Sequence, residues 1–117
     1  MNPTADCIFC KIIRKEIPAS IVYEDAEVMV FENIKPIAPI HLLIVPKRHI
    51  ESVGTAVDGD LELLGKLQIV ARDIARKQHL ASFKLASNSG TAAGQSVLHL
   101  HYHLISGQIV PGGLQSL

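Results

Sequence analysis

The sequence predicts an α+β domain in which one long helix packs on a small sheet. Five short segments have the residue types and the two-residue side-chain period of β-strands: 21–24, 28–31, 41–45, 83–86 and 97–106. One long segment, 60–79, instead repeats its apolar residues with helical spacing, with acidic groups near its start and basic groups near its end. A short helix is predicted at 7–15, because Pro18 prevents a helix from continuing.

The long helix is expected to cover the sheet with its apolar face. The positions assigned to that face are Leu61, Leu64, Leu67, Val70 or Ala71, Ile74 and Ala75. The acidic segment 24–27 is the predicted turn between the first two strands. Three strands therefore precede the helix and two follow it.

Length, charge and hydropathy limit the classes of partner. The 117 residues are 48% apolar, which suits a single domain over 1–117 with a modest core. Eleven basic residues balance eleven acidic ones, so no nucleic acid polymer is expected as a partner, whereas a nucleotide-sized ligand is compatible. No apolar run reaches the ~18 residues of a membrane span, and the polar segment 1–6 is too short for a secretory signal. The expected location is cytoplasmic, with no membrane partner.

Three of the six histidines recur at every second position of the last predicted strand, as His99, His101 and His103. In a strand they share one face, and the apolar residues Leu98, Leu100, Tyr102 and Leu104 line the other. Three uses are open: an ordinary polar face, a metal site, or an imidazole nucleophile. Since His99 and His103 would start ~13 Å apart in a strand, one ion is not expected to bind all three.

A loop of small residues, 88–96, leads directly into these histidines. Glycines, alanines and hydroxyl side chains let backbone N–H groups approach an anion, so the loop is a candidate phosphate cradle. Its position next to the histidines favours nucleophilic chemistry at a phosphate over the other two uses.

Cys7 and Cys10 form a C-x-x-C pair. A chain without an export signal is not expected to use it as a structural disulfide. A zinc half-site, a redox pair and two buried thiols remain, and the redox reading has least support because no thioredoxin-like pattern surrounds the pair.

Several segments together resemble one known family. Residues 94–105, with the His-φ-His-φ-His-φ-φ pattern, resemble the signature of the histidine triad (HIT) superfamily. Residues 10–19 and 39–50 resemble the opening segment and third strand of its HINT branch, the histidine triad nucleotide-binding proteins. The resemblance covers about 7–107, leaving 108–117 as a more divergent tail without the aromatic residue often found there. It implies a HIT-like fold, with a five-stranded antiparallel sheet, one long central helix and a short N-terminal helix, and a homodimer with a ten-stranded sheet.

The resemblance also implies a reaction. His101 corresponds to the family's nucleophile, which attacks the α-phosphorus of a nucleotide and forms a nucleotidyl-histidine that water then hydrolyses. The implied activity is a purine nucleoside phosphoramidase that releases AMP or another nucleoside monophosphate. Gly94, Gln95, Ser96 and His103 are candidates for holding the phosphoryl group, Ser96 and His103 for proton transfer to the leaving group, and His41 for supporting the network. Alternatives are a dinucleoside polyphosphate hydrolase and a nucleotide-binding regulatory protein with residual catalysis.

Nucleoside recognition is assigned by position in the family. An apolar slot for the purine would be formed by Ile8, Phe9, Phe31 and Ile34, and Asn88 would reach the ribose or phosphate. Asn33 stands where HINT proteins usually carry an aspartate that accepts hydrogen bonds from the ribose hydroxyls. An amide has one accepting oxygen and a donating nitrogen, so we expect weaker ribose binding or preference for a different nucleotide.

The same mapping implies a structural zinc site, with no cofactor required for catalysis. The ligands would be Cys7, Cys10, His49 and His99, which together make a closed Cys₂His₂ set. His99 would then belong to a different site from His101 and His103.

Overall fold

The computed structural model describes residues 3–117. Its helices are α1 (Pro3–Asp6), α2 (Ile8–Ile13) and α3 (Leu61–Lys77). Its strands are β1 (Ile21–Glu24), β2 (Val28–Glu32), β3 (Ile40–Pro46), β4 (Lys84–Ala86) and β5 (Tyr102–Ser106). The strands form one antiparallel five-stranded sheet in the order β1-β2-β3-β5-β4, which confirms the predicted fold class.

The two faces of the sheet carry separate apolar clusters. Alternate residues of β2 show the division: Val28 and Val30 pack in the cluster that includes α3, whereas Met29 and Phe31 pack with Phe9 of α2. The side-chain alternation of a strand therefore gives each helix its own face. His99 and His101 lie on the face that carries α2, because Phe9 contacts both of their rings.

The helix α3 covers the other face as predicted, but its first turn is placed differently. Leu61 is 74% exposed and Leu63 is buried, so the assignment of Leu61 to the packing face is wrong. The helix begins at Leu61, after a 3₁₀ turn at Asp58–Asp60, and this start directs Leu63 and Leu67 to the sheet. The pattern of apolar residues in the sequence did not show at which residue the first turn of α3 begins.

The last strand begins at Tyr102, five residues later than the predicted start at 97. Antiparallel pairing with β3 stops at Ile44 and Tyr102 because β3 ends in Pro46, which has no N–H to donate. Upstream, the N–H of Leu100 donates to the carbonyl of Ile50 at 2.6 Å instead. His99 and His101 therefore lie in an irregular lead-in to β5, and only His103 lies in the strand.

The division of faces persists in this lead-in, with one exception. Leu100 and Leu104 are fully buried in the cluster under α3, opposite the histidines. Leu98, which was assigned to the same packing face, is 44% exposed. The alternation therefore holds from His99 onward and fails at Leu98.

The helix α2 is shorter than the predicted segment 7–15. Cys7 is its N-cap, and its thiol accepts the N–H of Cys10 at 3.4 Å. The helix ends before Lys15, which has a positive φ of 64°. The N–H groups of Lys15 and Glu16 then donate to the carbonyls of Ile12 and Lys11, which closes the helix before the chain reaches Pro18.

The tail 108–117 packs against the body of the molecule. Its backbone is tied to the residues before β3 by the N–H of Val110, which donates to the carbonyl of Ile37 at 2.8 Å. Gly107 makes the turn into the tail with a φ of +92°, and a Cβ there would lie 2.9 Å from the Pro39 ring. Within residues 3–117, no helix has the length and apolar character needed to cross a membrane.

Candidate active site and metal centre

His101 is held as a neutral imidazole with one free nitrogen. Its Nδ1 lies 2.7 Å from the carbonyl oxygen of His99, which can only accept, so Nδ1 carries the proton and Nε2 is unprotonated. Burial lowers the pKa of His101, which also favours the neutral ring. The hydroxyl of Ser87 in turn donates to the carbonyl of His101 at 2.7 Å and fixes the backbone. The residue therefore offers a basic Nε2 at a defined position.

His103 and His41 form a second pair of buried imidazoles. The Nε2 of His41 lies 2.9 Å from the Nδ1 of His103, and the backbone N–H of Ile37 donates to the Nδ1 of His41 at 3.1 Å. Burial lowers the pKa of His41, and burial together with repulsion from His101 and His41 lowers the pKa of His103 to about 4. The rings of His101 and His103 lie 5.1 Å apart, so one substrate group can meet both.

A cavity of about 250 Å³, here called the triad cavity, lies in front of these rings. Its apolar part is lined by the predicted Ile8, Phe9, Phe31 and Ile34, together with Ile12 and Leu43. His101, His103, Ser96 and Asn33 line the same cavity. An apolar slot thus opens directly onto the two imidazoles, and this shape suits a flat ring joined to an anionic group.

The small-residue loop is ordered by its own hydrogen bonds. Gln95 is buried; its amide nitrogen donates to the carbonyls of Glu51 and Val97, and its amide oxygen accepts the N–H of Gly90. Its backbone N–H and that of Gly94 also bond within the loop. The side chain of Gln95 therefore holds the loop in its conformation, and a bound phosphate would have to accept hydrogen bonds from other groups. Ser96 is exposed and faces the triad cavity, and its hydroxyl has no hydrogen-bond partner among the described residues.

The two asparagines assigned to the sugar lie in different places. Asn88 does not line the triad cavity; its amide nitrogen donates to the carbonyl of Leu117 at 2.8 Å and lies beside the backbone of Gly94. Asn33 does line the cavity. Its side-chain oxygen accepts the N–H of Lys35 at 2.9 Å, and its nitrogen lies 3.2 Å from the Nε2 of His41.

Behind the triad cavity, the four residues assigned to zinc converge on one point. One ligand atom from each of Cys7, Cys10, His49 and His99 lies within 4.8 Å of all the others. The measured separations are 3.4 Å from the Cys7 thiol to His99, 3.4 Å from the Cys10 thiol to His49, and 3.1 Å between the two Nδ1 atoms. A tetrahedral zinc ion would separate such ligands by about 3.3 to 3.8 Å; the two thiol–imidazole separations lie in this range and the 3.1 Å between the Nδ1 atoms lies just below it, so the four ligand atoms are close to the arrangement that this ion needs.

The tautomer of His99 also suits a metal ligand. Its Nε2 lies 2.8 Å from the carbonyl of Pro46, so the proton is on Nε2 and the lone pair of Nδ1 faces the cysteines. Burial lowers the pKa of His99 to about 4. Burial and the neighbouring Cys7 thiol raise the pKa of Cys10 to about 11, so a bound cation would have to displace its proton. The four side chains leave no open position for a substrate.

The residues missed from the sequence act through backbone atoms or short polar side chains. Pro46 supplies the carbonyl that orients His99, Ser87 holds the carbonyl of His101, and the N–H of Ile37 orients His41. Of these three residues, only Pro46 could have been recognised from the sequence, as a proline that ends a strand. Which carbonyl or N–H meets a ring depends on the tertiary fold.

This fold and site define a class: a small α+β protein with a histidine-lined nucleotide-sized cavity and an adjacent Cys₂His₂ cluster. Residues 6–116 match the family described as "Scavenger mRNA decapping enzyme C-term binding". Protein HitA of Neisseria gonorrhoeae is 46% identical over 101 residues, covering 86% of this chain and 94% of its own.

Solved structures agree. A HIT family hydrolase from Clostridium thermocellum superposes with a TM-score of 0.84 at 42% identity, covering 88% of this chain and 91% of the other. A histidine triad protein from Clostridium difficile gives a TM-score of 0.85 at 40% identity, covering 91% and 94%. The chain belongs to the HIT superfamily.

Proposed function

We propose that this protein is a hydrolase that cleaves purine nucleoside 5'-phosphoramidates, of the adenosine phosphoramidate type, to a nucleoside monophosphate and an amine. The observation that carries the proposal is the state of His101: its Nδ1–H is held by a carbonyl, and its free Nε2 belongs to a residue lining an apolar, nucleotide-sized cavity. The similar protein from Clostridium thermocellum, which is named as a HIT family hydrolase, supports hydrolysis in general.

The first step is attack of the His101 Nε2 lone pair on the α-phosphorus. A P–N(imidazole) bond forms, the P–N bond to the amine breaks, and the amine leaves after it takes up a proton. His101 is neutral before attack, and the carbonyl of His99 stabilises the positive charge that its ring acquires. In the second step water attacks the same phosphorus, the P–N(imidazole) bond breaks and Nε2 regains its lone pair. The nucleotide is released, and the proton that water loses replaces the one taken up by the amine.

Two other groups assist the attack on phosphorus and the departure of the amine. His103 presents its second ring nitrogen as a donor to a phosphoryl oxygen, which gains charge during transfer. The exposed hydroxyl of Ser96 reaches the same cavity and is free to pass a proton to the departing amine. The purine would occupy the apolar slot between Phe9, Phe31 and Ile34.

The test compares the protein with its His101→Ala variant on adenosine phosphoramidate and on diadenosine polyphosphates. We expect the protein to release AMP from the phosphoramidate faster than from the polyphosphates, and the variant to lose at least about 10³-fold in kcat/KM. His79→Asn, at the exposed end of α3, is the matched histidine control and should keep full activity. Faster cleavage of polyphosphates would favour an anhydride hydrolase, and no turnover of either would favour a regulatory nucleotide-binding protein.

We also propose that the Cys₂His₂ cluster binds structural zinc. The ligand separations and the tautomer of His99 support this. The ion would tie α2 to the segment after β3 and to the lead-in of β5, and its closed shell would supply no catalysis. Elemental analysis should find about one zinc per chain in the purified protein, and less than a tenth of that in a Cys7→Ser/Cys10→Ser variant. Metal-free protein of equal stability would contradict the proposal.

A second copy of this chain is the proposed protein partner. Among the strands of residues 3–117, β4 is at an edge of the sheet and one of its sides is unpaired; Phe83, just before it, is 43% exposed. Pairing of two such edges would give a ten-stranded sheet. Sedimentation velocity should give twice the 12.7 kDa chain mass at micromolar concentration, and a monomer at all concentrations would contradict the dimer.

A further inference from the structure

Asn33 contacts His41, and the hydrogen bonds around the pair determine which ring nitrogen of His41 carries its proton. The backbone N–H of Ile37 can only donate, and it points at the Nδ1 of His41 at 3.1 Å. That nitrogen is therefore unprotonated, and the single proton of the neutral ring is on Nε2. His41 is buried, with 4% of its surface exposed, and burial favours this neutral form.

The orientation of the Asn33 amide is fixed in the same way. Its oxygen accepts the N–H of Lys35 at 2.9 Å, and a backbone N–H again can only donate. The amide nitrogen must then be the atom that lies 3.2 Å from the Nε2 of His41. An amide NH₂ cannot accept a proton, so it offers the Nε2–H of His41 no partner.

The other neighbour of that Nε2–H is the Nδ1 of His103, at 2.9 Å. The proton of His41 is therefore directed to His103, whose Nδ1 accepts it. His103 must in consequence carry its own proton on Nε2. Since His101 has an unprotonated Nε2, the two neighbouring rings of the triad cavity offer one base and one donor.

We propose that the amide at position 33 leaves the Nε2–H of His41 without a competing acceptor, so that the proton placed there by the Ile37 contact is donated to His103 and holds His103 as an Nε2–H donor in the triad cavity. An aspartate at this position would place a charged acceptor oxygen against the Nε2–H of His41. It would compete with His103 for that proton and would stabilise a doubly protonated His41. The choice of amide or carboxylate at position 33 thus decides whether His41 remains neutral.

The charged and titratable groups around His41 are few among the described residues. His103 of β5 is bonded to it, and Glu32 of β2 is exposed and lines the same shallow groove as His41. On its own strand no charged side chain faces it, and Gln78 at the end of α3 is neutral. A carboxylate introduced at position 33 would be the nearest charge.

The first test follows the protons without substrate. Long-range ¹H–¹⁵N NMR of the histidine rings reports the tautomer and pKa of each imidazole. We expect Nε2–H tautomers for His41 and His103 in the protein and in Asn33→Ala, which removes the amide without adding an acceptor. In Asn33→Asp the pKa of His41 should rise by about one unit or more. Glu32→Gln, which removes the nearby exposed carboxylate, should leave it unchanged.

The second test uses the hydrolysis proposed above and asks only for its pH dependence. In Asn33→Asp the acid limb of kcat/KM should move to higher pH by the shift in His41, a loss of about tenfold per unit below that limb. Asn33→Ala should keep the position of the limb, whatever its KM. An Nδ1–H tautomer of His103, or equal His41 titration in the Ala and Asp variants, would overturn the inference. Because the NMR needs no substrate, this failure is distinct from absence of hydrolysis.

Discussion

His99 and His101 are neutral imidazoles of opposite tautomer, and backbone carbonyls impose the difference. Pro46 accepts from Nε2 of His99, which frees Nδ1 for the cysteines, whereas the carbonyl of His99 accepts from Nδ1 of His101, which frees Nε2 for the triad cavity. Each ring thus has one nitrogen committed to the backbone and one available for chemistry. Although they are two residues apart in sequence, the free nitrogen of His99 lies in the Cys₂His₂ cluster and His101 lines the triad cavity.

The lowered pKa of His103 makes stability depend on pH. An unfolded histidine titrates near 6.5, and His103 in the folded protein titrates at about 4, so the unfolded state binds the proton first as pH falls. We expect this residue's contribution to be full above about pH 6.5 and to be lost progressively down to about pH 4. Urea unfolding of the protein and of His103→Gln at several pH values measures it. A slope over this window that the variant does not reduce would contradict the assignment.

The sequence predicted which side chains cluster, but not their protonation states. The alternation 99–103 and the C-x-x-C pair pointed to the two groups of side chains that the structure brings together. The tautomers could not be predicted, because they depend on carbonyls of Pro46 and His99 and on the N–H of Ile37, which reach the rings only in the folded chain. Gln95 shows the same limit, since its amide is used up in ordering its own loop.

At the scale of elements, two features determine where the histidines lie. Pro46 ends β3 and its pairing with β5, so the chain before Tyr102 leaves the sheet and turns His99 toward α2. Cys7 caps α2 and contacts the same ring at 3.4 Å. The predicted strand 97–106 was too long because periodicity continues through the lead-in, while the ladder stops at a residue without an N–H.

The packing of α3 predicts a contrast between two leucines of one helix. Leu67 is fully buried against the sheet, so Leu67→Ala should lower the free energy of unfolding by about 2 to 5 kcal/mol. Leu61, which is 74% exposed in the first turn, is the matched control, and Leu61→Ala should change stability by less than about 0.5 kcal/mol. Chemical denaturation of both variants measures the two changes. Similar losses of unfolding free energy in the two variants would contradict the assignment of the buried face of α3.

The C-terminal end of α3 offers a stabilising substitution. His79 follows the helix with a φ of +57°, and the N–H of Leu80 bonds back to Ala75 across it. Glycine adopts this conformation without the steric cost of a Cβ, so His79→Gly should raise the free energy of unfolding by about 0.5 to 1 kcal/mol. His79→Val should lower it. Thermal unfolding of the two variants measures the difference, and a less stable glycine variant would contradict the assigned cap.

At the scale of the whole molecule, the proposed zinc site would connect segments that lie far apart in the sequence. The Cys₂His₂ cluster joins α2, the segment after β3 and the lead-in of β5, and α2 and this lead-in also line the triad cavity. The tail is tied to the segment before β3 through Val110 and Ile37. Periodicity predicted the strands and the long helix, and the family resemblance implied the antiparallel sheet, but the tail's docking could not be predicted, because it depends on isolated backbone contacts.

Metal removal should therefore loosen the site as well as the fold. A chelator that strips the proposed zinc should lower the melting temperature by several degrees, since a 117-residue domain shifts by about 4 °C for each kcal/mol. It should also increase amide exchange in α2 and the segment 97–101 more than in β2. Readdition of zinc should reverse both changes. If chelation changes amide exchange by the same factor in all three segments, or does not change it at all, a local stabilising role of the ion is contradicted.

The most direct measurement of the central claim is to trap the covalent intermediate. The protein is mixed with adenosine phosphoramidate for less than one turnover, quenched in denaturant at alkaline pH where phosphorylated imidazoles survive, and digested for mass spectrometry. The proposed function predicts one adenylyl group on the peptide that carries His101, and none in His101→Ala. Product formation with no such adduct, or an adduct on His99 or His103 instead, would contradict it.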